Sequence, residues 1–435
     1  MHKMTMTAAL LALGSATAGP VATITTAEQD AQGSLTVAYT LEGGPAVVLL
    51  DVQTNSPSGW LSIGGENISG KGYEPEGAVH RVVSGESPHA IIWRPDMAWK
   101  GARIDGENTR VVVEAYPLDD TPDYLVVDLL ANGDGVRYYR DEASLPGGLL
   151  ANSAYRVSKI VLRRVRAKGV VWSMGSERPL YAKDIENNVY DYPAHSVTLD
   201  HDYYMGVFEV TQGQFRYPWL TGPVSDYTAE RLMRAQDNVS YQHIREWNVA
   251  AEEANYPEPP AEGSWLGMLR AKTVSTVFPA GLDFDLPSEA EWEFAARGGS
   301  GSSLWPNGRL ITDTTDVPGW YSEHTPEAGW SGPAKVGLSE PNVWGIYDML
   351  GNVWELCNDW YAADITALNG VVNANGAKLV SDPSVSGANR VIRGGAWSSS
   401  AVHYLYPARR GGNSRAPDVH SNNTGFRLVC RAGLK

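Results

Sequence analysis

The residues best suited to chemistry lie near the end of the chain. From Ser398 to Thr424 the sequence reads SSSAVHYLYPARRGGNSRAPDVHSNNT, in which Ala401, Ala408, Arg410 and Pro417 alternate with Ser, His, Tyr, Arg, Gly and Asn. Tyrosine supplies large, rigid contact area at small entropic cost, while Ser, Gly and Asn supply adaptable hydrogen bonds, so this composition suits a recognition surface. The candidate ligand-binding residues are Ser398, Ser399, Ser400, Val402, His403, Tyr404, Tyr406, Arg409, Asn413, Arg415, His420 and Asn422. Arg409, Arg410 and Arg415 against Asp418 make the stretch basic within an acidic chain. A guanidinium fork pairs with carboxylates and stacks on planar groups, so an acidic or planar partner is expected.

Other reactive residue types are sparse. Cys357 and Cys430 are the only cysteines in the sequence, which excludes a cysteine-rich zinc site and a disulfide framework. One bridge and two separately buried thiols are both compatible with their positions. His80, His89, His195, His201 and His243 are scattered, and neither H-E-x-x-H nor G-x-S-x-G occurs. The run Gly65 to Gly72 begins like a phosphate-binding loop but lacks the closing Ser/Thr, and no helix pattern follows it. It reads as a glycine-rich turn.

These residues need a scaffold, and 435 residues exceed one ordinary core, so two domains are expected. The sequence holds 15 Trp and 21 Tyr against 6 Phe, an excess that suits loop-rich folds and wet surfaces over oily helical cores. A net charge of -15 argues against nucleic acid or an anionic membrane as partner. Residues 1–18 read as a signal peptide: His2-Lys3 is basic, Ala8 to Leu13 apolar, and Ala16-Thr17-Ala18 an A-x-A cleavage site. Export is the expected localisation. No later apolar run reaches the ~18 residues of a membrane helix, so membrane insertion is not expected.

Residues 19–166 read as all-β. Period-two or β-branched runs recur at Ser34–Leu41, Ala46–Val52, Ala90–Arg94, Thr109–Tyr116, Tyr124–Leu130 and Val157–Val165, separated by Gly/Pro/Asn/Asp clusters. That spacing predicts an immunoglobulin-like β-sandwich. Helix signals enter in residues 167–435. Thr211-x-x-Gln214 and Ser288-x-x-Glu291 have capping-box spacing. Ser240 caps a third segment, with Ile244, Trp247 and Ala251 at helical spacing. Gly298-Gly299 ends the second box's helix, and beyond it only turns and short apolar runs remain. The fold class is therefore α+β with few helices.

Five segments of this second part resemble the formylglycine-generating, or sulfatase-modifying-factor, family in its usual order. They are Val171 to Ser176, Tyr204 to Thr211 ("EVT"), Leu286 to Gly299, Gly345 to Glu355 ("GIYDMLGNVWE"), and the pair Arg393-Gly394-Gly395-Ala396-Trp397 and Gly425-Phe426-Arg427. The resemblance implies a C-type-lectin-like domain whose last strands and loop present the functional surface. Arg427 beside Phe426 puts a forked donor against an aromatic framework, and Trp292, Trp354 and Trp397 read as core pillars rather than substrate platforms.

The family's chemistry depends on two copper-binding cysteines after the "RGG" segment, and Ser399 and Tyr404 stand at those positions here. Copper(I) needs thiolate or thioether ligands, so copper is not expected. A second branch of the family holds iron on a helical domain with a His cluster, which this chain does not resemble, so iron is not expected either. The resemblance implies calcium near the "GIYDM" segment, with carboxylates from Asp348 and Glu355 and carbonyls from Gly351 and Val353. Asp348 also reads as a turn residue. The resulting expectation is an exported, non-catalytic protein that binds a protein or glycan through its final loop. An oxidoreductase of this family acting on a thiol, with a non-standard site, is the alternative. The loop also resembles variable proteins of diversity-generating retroelements, whose adenine-randomised codons cannot yield Lys, Glu, Gln, Met or Trp. None of the five occurs between Ser398 and Thr424.

Overall fold

The computed structural model describes residues 19–431 except 71–72, 86–87, 100–103, 105–106, 134, 177–193, 218–228, 247–257, 300–318, 323, 325–329, 362–370, 374–388, 401 and 412–415. The signal-peptide segment, Trp247, Ala251, Asn413 and Arg415 thus lie outside the described residues. The chain divides into two compact units, one of residues up to 127 with 136–155, the other of 128–135 with 156–433. No helix of the described residues is long and apolar enough to cross a membrane.

The first unit is a sandwich of two antiparallel sheets. One sheet runs β1 (Val21–Gln29), β2 (Leu35–Glu42), β7 (His89–Trp93), β5 (Glu76–Gly77). The other runs β4 (Gly59–Ser62), β3 (Ala46–Ser56), β6 (Arg81–Val83), with β8 (Thr109–Tyr116) paired along β3. Alternation sets the facing. Leu35, Val37, Tyr39 and Leu41 are buried while Thr36 and Glu42 are exposed, because successive strand residues point to opposite faces. They meet Val48, Leu50, Val52, Val111 and Val113 from the second sheet in one core. Trp93 and Tyr39 bring polar tips into it and donate them to the carbonyls of Ile68 (3.1 Å) and Ala78 (2.6 Å). A hairpin of β9 (Tyr124–Asp128) and β10 (Val136–Tyr139) follows. The Glu66–Gly70 segment is a single π-helical turn and opens no longer helix. β1 carries little alternation, since eight of its nine residues remain at least partly accessible, and the sequence pattern misses it for that reason.

The second unit begins earlier than its composition indicates. The strand β11 (Lys159–Val165), assigned from sequence to the sandwich, pairs antiparallel with β14 (Tyr203–Gly206), Leu162 opposite Gly206 and Val165 opposite Tyr203. The boundary therefore falls at Tyr155/Arg156 rather than at residue 166. β12 (Val171–Met174) and β13 (His195–Leu199) form a hairpin. β14 continues to β20 (Val429–Cys430), which also pairs with β15 (Phe284–Asp285). β16 (Trp354–Trp360) lies between β18 (Arg390–Arg393) and β19 (Thr424–Gly425), and β17 (Val371–Asn373) runs parallel to β13. Trp172, Met205, Trp292, Phe294, Leu350, Val391, Leu405 and Tyr406 share one core.

Helices are short and few, as the capping signals indicate. Thr211 and Gln214 close a reciprocal capping box on Gln212–Arg216, and Ser288 and Glu291 do so on Glu289–Ala296. Ser240 caps Tyr241–Arg245. The Trp265–Lys272 helix is not evident from the sequence. Its cap Ser264 accepts from Gly267 N–H at 3.1 Å, but glycine in place of Glu/Gln at the third position removes the box signature. Glycine is required there, since a Cβ would lie 2.0 Å from the Ala261 carbonyl oxygen. Cys357 and Cys430 are both free and buried, so the two-thiol alternative holds.

Candidate binding face

The "RGG" and "GFR" segments are anchored by buried ion pairs. The Glu289–Ala296 helix is buried along its whole length and carries Glu289, Glu291 and Glu293. An ionised carboxylate cannot be buried alone. Each meets arginine: Glu289 accepts from Arg410, Glu293 from Arg393 and Arg297, and Glu291 from Arg431. Glu291 also faces His201 Nε2 at 2.9 Å. Burial alone would lower the His201 pKa, but the hydrogen bond and charge of Glu291 more than reverse this and raise it. Burial would likewise raise Glu291, and Arg431 and His201 instead hold it far below the usual carboxylate range.

The signs set a pH window. The His201 contribution is present below its unfolded pKa and is lost as pH rises through the folded value. The Glu291 contribution is present above its unfolded pKa and is lost on acidification. His201→Phe is therefore expected to flatten the loss of unit stability as pH rises above about 6.5, read by urea unfolding across pH.

Arg427 does not lie in an aromatic framework as expected. Its fork holds Glu355 at 2.8 and 3.0 Å and the carbonyls of Gly206 and Tyr347 at 2.8 and 2.9 Å. Phe426 instead packs edge-on against Trp265. Trp292 donates its indole N–H to Glu355 at 2.6 Å. Trp292 and Trp354 are buried pillars, whereas Trp397 is half-buried at the surface. Gly351 has φ +89°, and a Cβ there would fall 2.2 Å from the Trp320 carbonyl oxygen. Gly351→Ala should lower unfolding stability by about 3 kcal/mol in urea titration, through positive φ plus overlap with backbone.

The four residues expected around calcium do not form an oxygen cage. Both Asp348 oxygens accept hydrogen bonds, from Gly337 N–H and from Ser339, and both Glu355 oxygens face Arg427. Calcium needs six to eight oxygens turned to one point, and here a guanidinium occupies one carboxylate. Among the described residues no group of three or more His, Cys, Asp or Glu is arranged to hold a metal.

The final loop splits into buried and accessible parts. Tyr406 is 2% and Arg409 5% exposed, so both serve the interior rather than a contact surface. Ser399, 7% exposed, accepts from Ala396 N–H at 3.0 Å and closes the turn after "RGG". Tyr404 is half-buried, edge-on to Trp354 with the Arg409 guanidinium 5.2 Å from its ring centre. A turn-closing hydroxyl and a phenol beside a guanidinium thus fill the positions of the family's copper cysteines and do not fit copper(I). Ser398, Ser400, His420 and Asn422 are exposed. Val402 and His403 lie in the 3-10 turn Val402–Leu405.

Asn422 borders a cleft of about 370 Å³ whose walls come from distant parts of the chain. Its other walls include Gln212, Arg231, Arg234, Asp237, Trp330 and Trp397. Trp397 donates its indole N–H to the Asn422 carbonyl and Trp330 to the Pro333 carbonyl, each at 3.1 Å. Arg234 stacks on Trp330 at 4.1 Å and donates to Pro333 O at 2.8 Å. Asn423 bonds Ser398 Oγ at 2.9 Å and tethers the loop's two ends beside this cleft.

The sequence model of the sulfatase-modifying factor enzyme 1-like domain matches residues 162–432. The chain is 27% identical over 318 residues to the formylglycine-generating enzyme of Bos taurus, covering 67% of this chain and 79% of that protein. It is 30% identical over 247 residues to serine/threonine-protein kinase pkn1 of Chlamydia caviae, covering 56% of this chain and 35% of that relative's length. Among solved structures it resembles Treponema denticola variable protein 1, with TM-score 0.41 and 24% identity, covering 63% of this chain and 95% of that one. With well over half its length matched, the chain belongs to the sulfatase-modifying factor enzyme 1-like domain family.

Proposed function

We propose that this is an exported, non-catalytic binding protein that presents the face formed by Ser398, Ser400, Tyr404, His420 and Asn422 to a protein or glycan. The observation that carries the reading is the replacement of the copper cysteines by Ser399 and Tyr404, each engaged with neighbouring protein groups. Neither residue supplies the soft ligand or the thiolate nucleophile on which the family's oxidation depends. The composition of Ser398–Thr424 supports a recognition role and is compatible with codon diversification. Sequencing the coding DNA tests that part. A near-copy of this stretch beside a reverse-transcriptase gene, differing at adenines, supports diversification; its absence indicates a fixed specificity.

The binding reading is tested by screening the purified chain against arrays of proteins and glycans. Tyr404→Ala is expected to weaken the captured partner by about tenfold, a change of about 1.4 kcal/mol, with Tm unchanged. Tyr406→Ala is expected to behave differently. Its buried ring serves the core, so truncation should cost about 3 kcal/mol of stability. Copper-dependent oxygen uptake with conversion of a sulfatase-peptide cysteine to its aldehyde would overturn the proposal.

A further inference from the structure

We infer that the Trp330–Trp397 cleft takes a ring-shaped anion, namely a uronic-acid-type sugar unit of a glycan; this rests on the binding reading above and names its ligand class. The chemistry of the walls carries it. Both indole N–H groups are tied to main-chain carbonyls, so the tryptophans offer the cleft apolar ring surface rather than donors. Trp330 remains 44% exposed. Such a surface takes the C–H face of a sugar ring as apolar area, while the indole stays fixed. Gln212 and Asn422 bring amides that donate and accept, as vicinal hydroxyls require.

Charge selects among rings. Arg231 is exposed at the rim, and Arg234 already covers one face of Trp330 at 4.1 Å. A cation seated on one face of an indole opposes a second on the other, so trimethylammonium-type or lysine ligands are disfavoured. Among the described wall residues two arginines stand with one carboxylate, Asp237, in a chain of charge -15. That imbalance suits a carboxylate on the ligand. A cleft of about 370 Å³ lies near the lower end of small-molecule sites. It suits one or two rings better than a flat protein epitope. The basic character expected of the final loop is thereby relocated. Arg409 and Arg410 are buried, and among the cleft's described walls Arg231 is the exposed cation.

The test is calorimetric titration of the full chain with trigalacturonate, with a neutral galactose trisaccharide, and with hexaglutamate. The expected result is saturable binding of trigalacturonate at least about tenfold tighter than either comparator. That binding should weaken with added salt and fall about tenfold in both Arg231→Gln and Trp330→Ala. Val343→Ser, at an exposed position outside both the binding face and the cleft, should leave binding of this small probe unchanged. No binding of trigalacturonate, tighter binding of hexaglutamate, or binding insensitive to both cleft substitutions would overturn the inference. Failure here alongside an array partner lost in Tyr404→Ala would remove the sugar assignment and leave the binding function standing. Failure of both would remove the two together.

Discussion

Arg427→Met is expected to lower the unfolding free energy by about 3–5 kcal/mol, the largest single effect in the second unit. The side chain is fully buried and makes five hydrogen bonds, three of them to Glu355 and two to the Gly206 and Tyr347 carbonyls. Its removal leaves Glu355 buried beside Asp348 and Glu209. Burial first, then the charges of Asp348 and Glu355, already holds Glu209 well above the ordinary carboxylate range, and Arg427 is the charge that pulls it back. Without Arg427, Glu209 and Asp348 lose a charge that lowers their pKa and move further toward protonation. A carboxyl whose folded pKa is raised loses stability as pH climbs above its unfolded value. The deficit should therefore be larger at pH 8 than at pH 5. Urea unfolding followed by tryptophan emission reads both, because Trp292 donates to the same Glu355. The double variant Arg427→Met/Glu355→Leu should lose less than the single one, since no charge is stranded. An equal or greater loss in the double variant would show that the pair acts mainly through packing.

How much of this was legible in the sequence follows the range of each interaction. Capping boxes are local, and Thr211/Gln214 and Ser288/Glu291 form as their spacing requires. Strand periodicity is local too, so Lys159–Val165 was recognised as a strand. Its partner was not, because alternation fixes which face is buried and says nothing of which sheet the strand joins. Tyr406 and Arg409 looked like surface residues because polar types usually are. Their burial depends on a core stabilised by ion pairs, and Arg410 meets Glu289 across 121 residues of chain. One signal was available. Glu289 and Glu293 share one helix face, but Glu291 stands on the opposite one beside Phe294 and Ala295, so the apolar face of this helix also carries a charge. Such a helix must be buried with its charges paired. The cleft carried no comparable signal, since its walls come from Gln212, Arg231, Trp330, Trp397 and Asn422, and only the fold brings them together.

The first unit should be acid-labile through one histidine. His80 is buried, with φ +57°, and its Nδ1 faces the Tyr138 carbonyl at 2.8 Å. Nδ1 therefore carries the proton of the neutral ring, and Nε2 has no hydrogen-bond partner among the described residues. Protonation would place an unpaired N–H and a full charge in the interior. Burial, opposed by the Tyr138 bond and reinforced by Arg137 and Arg140, pulls the pKa down to about 4. The unfolded chain takes up a proton below about pH 6.5 while the folded unit resists until about 4. Because the unfolded state binds more protons in that interval, stability is complete above pH 6.5 and is lost as pH falls. A difference of roughly 2.5 units at about 1.4 kcal/mol each sets the loss at about 3 kcal/mol by pH 4. His80→Asn keeps a residue that tolerates positive φ and does not titrate. Urea midpoints of the first unit, compared at pH 7.5 and pH 4.5, should therefore fall steeply in the natural chain and shallowly in the variant. Equal slopes in the two proteins would assign the acid sensitivity to the buried carboxylates instead.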